Sequence, residues 1–270
     1  MDIPQTLLQK ESALRAILQS FASTAVAFSA GVDSTYLLKI AHDVSGSRVF
    51  AVTGRTVSTP ERELRQAEAV CASLGVRQIV VDIDQLSIPG FADNPPDRCY
   101  ICKKALFSRF LDVCAREGCA VLIEGTNADD TQDYRPGLRA LRELRVRSPL
   151  LEAGLTKQEI RTLSHRAGLP TWNKPSLACL ATRIPCGETI TPEKLAVIDK
   201  AEQFLRDNGL GQVRVRLHGR LARIETEPSA MPKLTEPAFR NAVSGTFHAL
   251  GFDFVTLDLD GYVTGSMNKK

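Results

Sequence analysis

The amino-acid sequence predicts an α/β fold, a parallel sheet with helices on both faces, followed by a small C-terminal α+β module. Three observations carry this expectation. Four short runs, Ala25-Val26-Ala27-Phe28, Val49-Phe50-Ala51-Val52, Ile79-Val80-Val81-Asp82-Ile83 and Ala120-Val121-Leu122-Ile123, are almost wholly apolar. Strands buried on both faces look like this, whereas half-exposed strands alternate. Stretches at helical spacing separate the runs, and near residue 187 the pattern changes to the period-two string Val213-Arg214-Val215-Arg216-Leu217.

The elements follow in order. Leu7, Leu8, Leu14, Ile17, Leu18 and Phe21 predict a helix over 5–22, and Leu37, Leu38, Ile40 and Ala41 another over 33–44. A third helix spans 60–74 with Pro60 in its first turn, and a fourth spans 103–117. Thr156 and Glu159 form a capping-box signature before a helix over 156–167. Beyond 187 the spacing predicts a helix from about 191 to 208 and strands over 213–217 and 220–227, parted by the His218-Gly219 turn. A helix over 235–249 and a strand over 254–259 follow.

The bulk numbers narrow the function classes. The 270 residues are 43% hydrophobic and 24% charged, ordinary for a soluble globular chain. No apolar run approaches the roughly 18 residues that span a bilayer, so no membrane is expected. The amphipathic N-terminus, which carries acids, lacks the plan of a signal peptide, and a cytoplasmic location follows as the expectation. A net charge of +3 gives no argument for nucleic acid. Arginines 135, 139, 142, 145 and 147 read either as a solvated helix face or as a surface for phosphorylated substrates or a subunit contact. Seven cysteines, an odd number without an export signal, argue against a disulfide framework and for metal binding or catalysis by a well-spaced subset.

The string Ser29-Ala30-Gly31-Val32-Asp33-Ser34-Thr35 lies between the first strand and the next helix, where an open α/β sheet places ligands. Gly31 allows a sharp turn, and the N–H groups that follow can cradle a phosphate at the helix N-terminus. Ser29, Ser34 and Thr35 add hydroxyl groups, and Asp33 can cap the helix or hold magnesium. No Gly-Lys-Ser/Thr ending is present, which excludes a Walker A loop. The segment resembles the PP-loop pattern S-G-G-x-D-S of the ATP pyrophosphatases, an adenine nucleotide alpha hydrolase-like fold. That resemblance implies ATP and Mg2+, and cleavage between the α and β phosphates. Ala30 departs from the pattern, and alanine tolerates a positive φ poorly. Glu124-Gly125-Thr126-Asn127-Ala128-Asp129-Asp130, after the fourth strand, falls on the same edge. Gly125 and Thr126 can pack against nucleotide and the acids can hold magnesium, or the string is a plain strand-to-helix loop.

Cys99 and Cys102 form a Cys-x-x-Cys pair before the fourth helix, readable as a redox pair, half a metal site or two unrelated thiols. Cys179 precedes Arg183 by four residues, and an arginine brought close would favour its thiolate. Cys186 reads as a core residue or a second thiol of that segment. Cys71, Cys114 and Cys119 read as packing residues.

Longer strings extend the resemblance over nearly the whole chain. They are Phe28 to Thr35, Asp133-Tyr134-Arg135-Pro136-Gly137-Leu138, Trp172-Asn173-Lys174, Thr182-Arg183-Ile184-Pro185, Val213-Arg214-Val215-Arg216, Ala222-Arg223-Ile224-Glu225 and Val255-Thr256-Leu257-Asp258-Leu259. The chain resembles the LarE family, ATP-dependent sulfur transferases of nickel-pincer cofactor synthesis. The resemblance implies a PP-loop ATP pyrophosphatase domain over 1–187, a small substrate-binding or oligomerisation domain over 188–270, and a homo-hexamer. It implies a small-molecule substrate, pyridinium-3,5-biscarboxylic acid mononucleotide, adenylated on a carboxylate and then converted to a thiocarboxylate. Arg214, Arg216 and Glu225 become candidates for substrate, although Arg214 and Arg216 also read as outward residues of a half-exposed strand. Cys179, Arg183 and Arg214 become candidates for catalysis. In the single-cysteine form of the family the sacrificial cysteine aligns with Ala178. This chain instead resembles the multi-cysteine form and the cluster-dependent tRNA thiolases, which implies a [4Fe–4S] cluster on Cys99, Cys102 and Cys179. Sulfur loss from Cys179 itself is the rival expectation. The alternative functions are a tRNA thiolase or an ammonia-using amide synthetase of the same superfamily, or a nucleotide-binding regulatory protein without catalysis.

Overall fold

Four apolar strands and their covering helices build the first part of the chain. The structure, a computed structural model, describes residues 4–132, 136–175, 178–263 and 267. The chain divides into two compact units, Met1–Ile88 with Asp97–Ser176, and Pro89–Pro96 with Leu177–Lys270. The motif residues Asp133, Tyr134, Arg135, Ser176 and Leu177 lie outside the described residues.

In the first unit α1 (Gln5–Gln19) leads into β1 (Thr24–Ala27), α2 (Val32–Ser45), β2 (Val49–Arg55), α3 (Glu61–Leu74) and β3 (Gln78–Asp82). After the excursion through 89–96 come α4 (Arg98–Arg116), β4 (Val121–Ile123), α5 (Gly137–Glu143), α6 (Pro149–Glu152) and α7 (Lys157–Arg166). The sheet has the order β3-β2-β1-β4, and every pairing is parallel. Arg147 adds a one-residue parallel bridge to Ile123 beyond β4. Adjacent strand residues enter different cores, as burial on both faces requires. Val26 and Ala51 join Leu14, Leu37, Ile40 and Ile160 on one face, while Ala25, Phe50 and Val52 join Phe107, Phe110 and Leu141 on the other.

Several boundaries differ from the periodicity. Helix α4 begins at Arg98 rather than 103, which places Cys99 in its first turn and Cys102 at the start of its second. The apolar residues here, Cys99 to Cys102, are consecutive, which hides helical spacing. Pro60 stands at the N-cap of α3, one residue before the helix proper. Short α5 and α6 offer too few turns for a periodic signal. The capping box of α7 is present in full: the Glu159 N–H donates to the Thr156 hydroxyl oxygen at 3.3 Å, and Thr156 N–H to the Glu159 carboxylate at 2.8 Å.

The second unit holds α8 (Pro192–Asp207), the hairpin β5 (Val213–His218) and β6 (Leu221–Thr226), α9 (Met231–Thr235), α10 (Pro237–Ala249) and β7 (Phe254–Leu257). Its sheet runs β5-β6-β7, antiparallel in the hairpin and parallel between β6 and β7. The segment Pro89–Pro96 is part of this unit. The Asn94 side-chain amide donates to the carbonyls of Ile184 (3.2 Å) and Pro185 (2.6 Å), and its carbonyl accepts from Gly187 N–H at 2.8 Å.

A carboxylate organises the interior of this unit. Glu202 on α8, 0% exposed, accepts from Arg183 Nε at 2.7 Å and Nη2 at 3.1 Å, from Arg206 Nη2 at 3.1 Å and from Val215 N–H at 3.1 Å. Burial alone would raise its pKa, but the guanidinium groups of Arg183, Arg206 and Arg214 outweigh burial and hold it below the ordinary carboxylate range. A depressed carboxylate contributes stability that is full above its unfolded pKa of about 4.3 and is lost as pH falls through the folded value. Unfolding of this unit, followed by circular dichroism, is therefore expected to set in below about pH 4. Glu202→Ala, which leaves buried guanidinium groups unpaired, is expected to cost about 3–5 kcal/mol in denaturant titration.

Candidate active site

The loops after β1 and β4 meet at the point where the strand order reverses, for β2 and β3 lie on one side of β1 and β4 on the other. In open parallel sheets such a switch point forms a crevice at the carboxyl ends of the strands. The two loops touch through Gly125. A Cβ placed there would stand 3.1 Å from the Ser34 backbone nitrogen and 3.3 Å from both Ser34 Cα and Asp33 Cβ. Only a residue without a side chain lets the loops approach so closely.

The loop after β1 is closed by its own hydroxyl groups. Ser34 Oγ lies 3.2 Å from Ser29 Oγ, accepts from Ser29 N–H at 3.4 Å and donates to Gly31 O at 3.4 Å. Gly31 caps α2, whose first helical bond runs from Thr35 N–H to Gly31 O at 3.0 Å. The N–H groups of Val32, Asp33 and Ser34 thus have no acceptor within the helix and bring its positive end to the crevice. Ala30 has φ of 52° and is fully buried. Its carbonyl accepts from Lys174 Nζ at 2.9 Å, and the same ammonium is bonded to Glu63 at 2.7 Å and Gln66 at 2.6 Å.

Asp33 pairs through Oδ2 with Lys157 Nζ, while its buried Oδ1 has no hydrogen-bond partner among the described residues. Burial raises the Asp33 pKa, and the Lys157 ammonium opposes that shift. An oxygen ligand left over beside a helix N-terminus suits a hard cation carried by a phosphate. Thr35 Oγ1 is likewise buried without a partner among the described residues. On the other loop, Glu124 is tied to its own chain: it accepts from Thr126 N–H (3.1 Å), Thr126 Oγ1 (2.8 Å) and Ser148 Oγ (2.5 Å). Asp129 caps Lys157 N–H at 2.8 Å, and Asp130 accepts from Asn127 N–H at 3.0 Å. Lys157 and Lys174 are cations of this site that motif spacing did not single out, because each reaches the loop from more than 120 residues away.

The second unit carries the other candidates. Arg183 is 1% exposed, and besides Glu202 it donates to the carbonyls of Ala178 (2.8 Å) and Cys179 (3.2 Å) and to Thr182 Oγ1 (2.8 Å). It therefore holds the backbone that carries Cys179, whose side chain is exposed. Arg214 and Arg216 lie on one face of β5 and are buried, unlike outward residues of a half-exposed strand. Arg214 donates to Val213 O at 2.8 Å and stands 5.0 Å from the Tyr262 ring centre, and burial lowers its pKa. Arg216 donates to Glu225 at 2.6 Å and to Thr182 O at 3.0 Å. Arg223 binds Glu225 at 3.2 Å and Asp258 at 2.8 Å. Glu202 thus binds Arg183 and Arg206, and Glu225 binds Arg216 and Arg223.

None of the seven cysteines is joined in a disulfide. Cys71 and Cys114 are buried packing residues, as their spacing predicts. Cys99 and Cys102, three residues apart, share one face of α4 at its N-terminus, with Arg98 Nη2 at 3.9 Å from Cys99 Sγ. Among the described residues no three metal-ligating side chains stand together, so the expected set of Cys99, Cys102 and Cys179 is not assembled within either unit.

No family model matches the chain. It is 40% identical over 244 residues to an uncharacterized protein of Synechocystis sp., covering 90% of this chain and 91% of that protein. It is 38% identical over 264 residues to the pyridinium-3,5-bisthiocarboxylic acid mononucleotide synthase of Lactiplantibacillus plantarum, covering 97% of this chain and 95% of the synthase. The chain belongs to the LarE family. A more distant relative of this LarE-family chain is a glutamine-hydrolyzing GMP synthase polypeptide of Archaeoglobus fulgidus, 28% identical over 67% of this chain and 63% of that protein. The shared parallel sheet and the loop after β1 are those of the PP-loop α/β fold. No helix of the described residues is long and apolar enough to cross a membrane.

Two substitutions probe the crevice. Gly125→Val drives carbon atoms into the backbone of α2 and is expected to abolish ATP binding in calorimetry while circular dichroism stays native. Ala30→Gly relieves about 1 kcal/mol of left-handed strain. It also loses a buried methyl group and frees the unfolded chain, each worth up to about 1 kcal/mol. These terms offset, so stability is expected within about 1 kcal/mol of the parent and ATP affinity within about threefold.

Proposed function

We propose that the protein adenylates a carboxylate of pyridinium-3,5-biscarboxylic acid mononucleotide with ATP and converts it to a thiocarboxylate, for nickel-pincer cofactor synthesis. The observation that carries this reading is the Gly125 contact. It brings the N-terminus of α2, with the unpartnered Oδ1 of Asp33, to the switch-point crevice of a chain alignable end to end with the synthase.

A carboxylate is a poor electrophile because oxide is a poor leaving group. Its oxygen attacks the α-phosphorus of ATP, the α–β bridge breaks and pyrophosphate departs. Residues Ser29 to Thr35 would take the pyrophosphate end through backbone N–H and hydroxyl groups, and Gly125 and Thr126 would face the nucleotide. Asp33 would hold Mg2+, which neutralises phosphate charge, and Lys157 would stay close enough to exchange its carboxylate partner for phosphate. A sulfur nucleophile then adds to the acyl carbon and AMP leaves with the bonding electrons, giving the thiocarboxylate.

Arg214 and Arg216, buried together on one face of β5, would receive the phosphate or the second carboxylate of the substrate. Arg183 acts as a positioning residue for Cys179 through the carbonyls of residues 178 and 179. The donor chemistry of Cys99, Cys102 and Cys179, thiols of which none is buried, suits iron and sulfide. We assign a [4Fe–4S] cluster to them, and when bound it would supply sulfide without consuming a cysteine. A homo-hexamer and a cytoplasmic location complete the reading. Phe254 and Leu259, 65% and 86% exposed on and beyond the edge strand β7, are apolar side chains that assembly would cover.

ATP plus the pyridinium dicarboxylate is expected to release pyrophosphate, whereas ATP alone releases little. Equal release with and without this substrate would count against it as the acceptor. Protein purified without oxygen is expected to contain iron and acid-labile sulfide and to turn over more than once. Iron-free protein after reconstitution, with dehydroalanine at position 179 in the mass spectrum, would instead establish sacrificial sulfur loss.

A further inference from the structure

The loops after β2 and β3 supply a group that neither the ATP chemistry nor the arginine network uses. Gln85, beyond β3, is 2% exposed. Its Oε1 accepts from Ser58 Oγ at 2.7 Å, and Ser58, beyond β2, is 3% exposed. With Ser58 Oγ donating to Oε1, the NH2 group points away from Ser58. There it donates to Cys102 Sγ at 3.0 Å. A buried amide normally spends its donors on oxygen, and one aimed at a thiol is a specific arrangement.

The placement matters for chemistry. Both loops follow the carboxyl ends of parallel strands, the same edge of the sheet that carries the Ser29 and Gly125 loops. Helix α4 is pressed onto that edge: a Cβ at Gly54, near the end of β2, would lie 2.6 Å from Leu106 Cδ1. Tyr100 fastens its first turn to α5, with the Arg139 guanidinium 3.5 Å from its ring centre and its hydroxyl donating to Glu143 at 2.8 Å. The helix therefore fixes the backbone at Cys102, and the amide fixes the sulfur.

We propose that Gln85, oriented by Ser58, is a positioning residue that holds the Cys102 sulfur in one rotamer on the ATP-binding edge by an N–H···S bond. The assignment rests on the reading of Cys102 as a sulfur-handling residue. Bonds of this kind tune thiolate-held clusters. Cys99, three residues earlier and facing Arg98, serves as an internal reference for the same helix turn.

The test is competitive alkylation of the metal-free full-length protein with limiting iodoacetamide at one fixed pH, with Cys102 and Cys99 quantified by peptide mass spectrometry. Gln85→Leu and Gln85→Glu, which free the sulfur from its single rotamer, are expected to lower the Cys102 to Cys99 ratio about fivefold, the size of one hydrogen bond. Ser58→Ala, which removes the bond that orients the amide, should lower it about two- to fourfold, the size of a weaker neutral bond. Native circular dichroism and a melting temperature near the parent's define the variants that count. A ratio within about twofold of the parent in Gln85→Leu and Gln85→Glu, or a rise in either, overturns the assignment. Iron content separates the two readings. A fallen ratio in a protein that never holds iron leaves Gln85 in its role and removes the cluster. Iron-replete protein with an unchanged ratio keeps the cluster and removes Gln85.

Discussion

The close approach of Gly125 to the first turn of α2 is the constraint on which the rest of the site depends. Parallel strands send every crossover back over a face of the sheet, and two crossovers can diverge only where the order reverses. Here the reversal lies between β1 and β4, and the loops that leave these strands would normally hold each other apart by their side chains. With hydrogen at position 125 they meet at van der Waals contact. The amide groups of residues 32–34 then stand beside a second wall of backbone rather than in open solvent. A preorganised ring of N–H donors in a narrow, low-dielectric crevice stabilises phosphate charge far more than the same groups in water.

The second unit solves a different electrostatic problem. Burying the guanidinium groups of Arg183, Arg214 and Arg216 near one another is costly unless carboxylates intervene, and Glu202 and Glu225 do so at the centre. Burial still lowers the Arg214 pKa, so the network does not remove the whole cost of burying that charge. Acid that protonates Glu202 leaves Arg183 without its buried counter-charge and loosens the unit.

Much of this was legible in the residues. The four apolar runs predict the parallel sheet because burial on both faces leaves no alternation; β1, β3 and β4 fall within one residue of those runs, and β2 runs three residues longer. The Ser29 to Thr35 loop is visible because its chemistry is local in sequence. What escapes a reading of the residues is long-range or aperiodic. Lys157 and Lys174 reach the loop across 124 and 144 residues. The eight residues Pro89–Pro96 carry no periodic signal, yet they join the second unit through Asn94. At the start of α4 the apolar residues 99–102 run consecutively instead of at helical spacing, so Cys99 and Cys102 read as loop residues. Arg214 and Arg216 alternate as exposed residues would, and only the acids of α8 and β6 explain their burial.

Ala30 shows how the fold accommodates a residue the loop disfavours. A left-handed φ costs alanine about 1–2 kcal/mol relative to glycine. Against that stands a charge-assisted hydrogen bond from Lys174 to the carbonyl of the same residue, of the class worth about 1.5–3 kcal/mol. The ammonium is itself held by Glu63 and Gln66 of α3, so the bond does not depend on a freely moving side chain. The methyl group is buried in the core shared by Val26, Leu37 and Ile40, which returns part of the strain as packing. Glycine would satisfy φ, and the Lys174 bond to the backbone carbonyl would still hold the peptide before Gly31, so the ring of N–H groups keeps its place with either residue. What alanine adds is packing, and that nearly offsets the strain in φ.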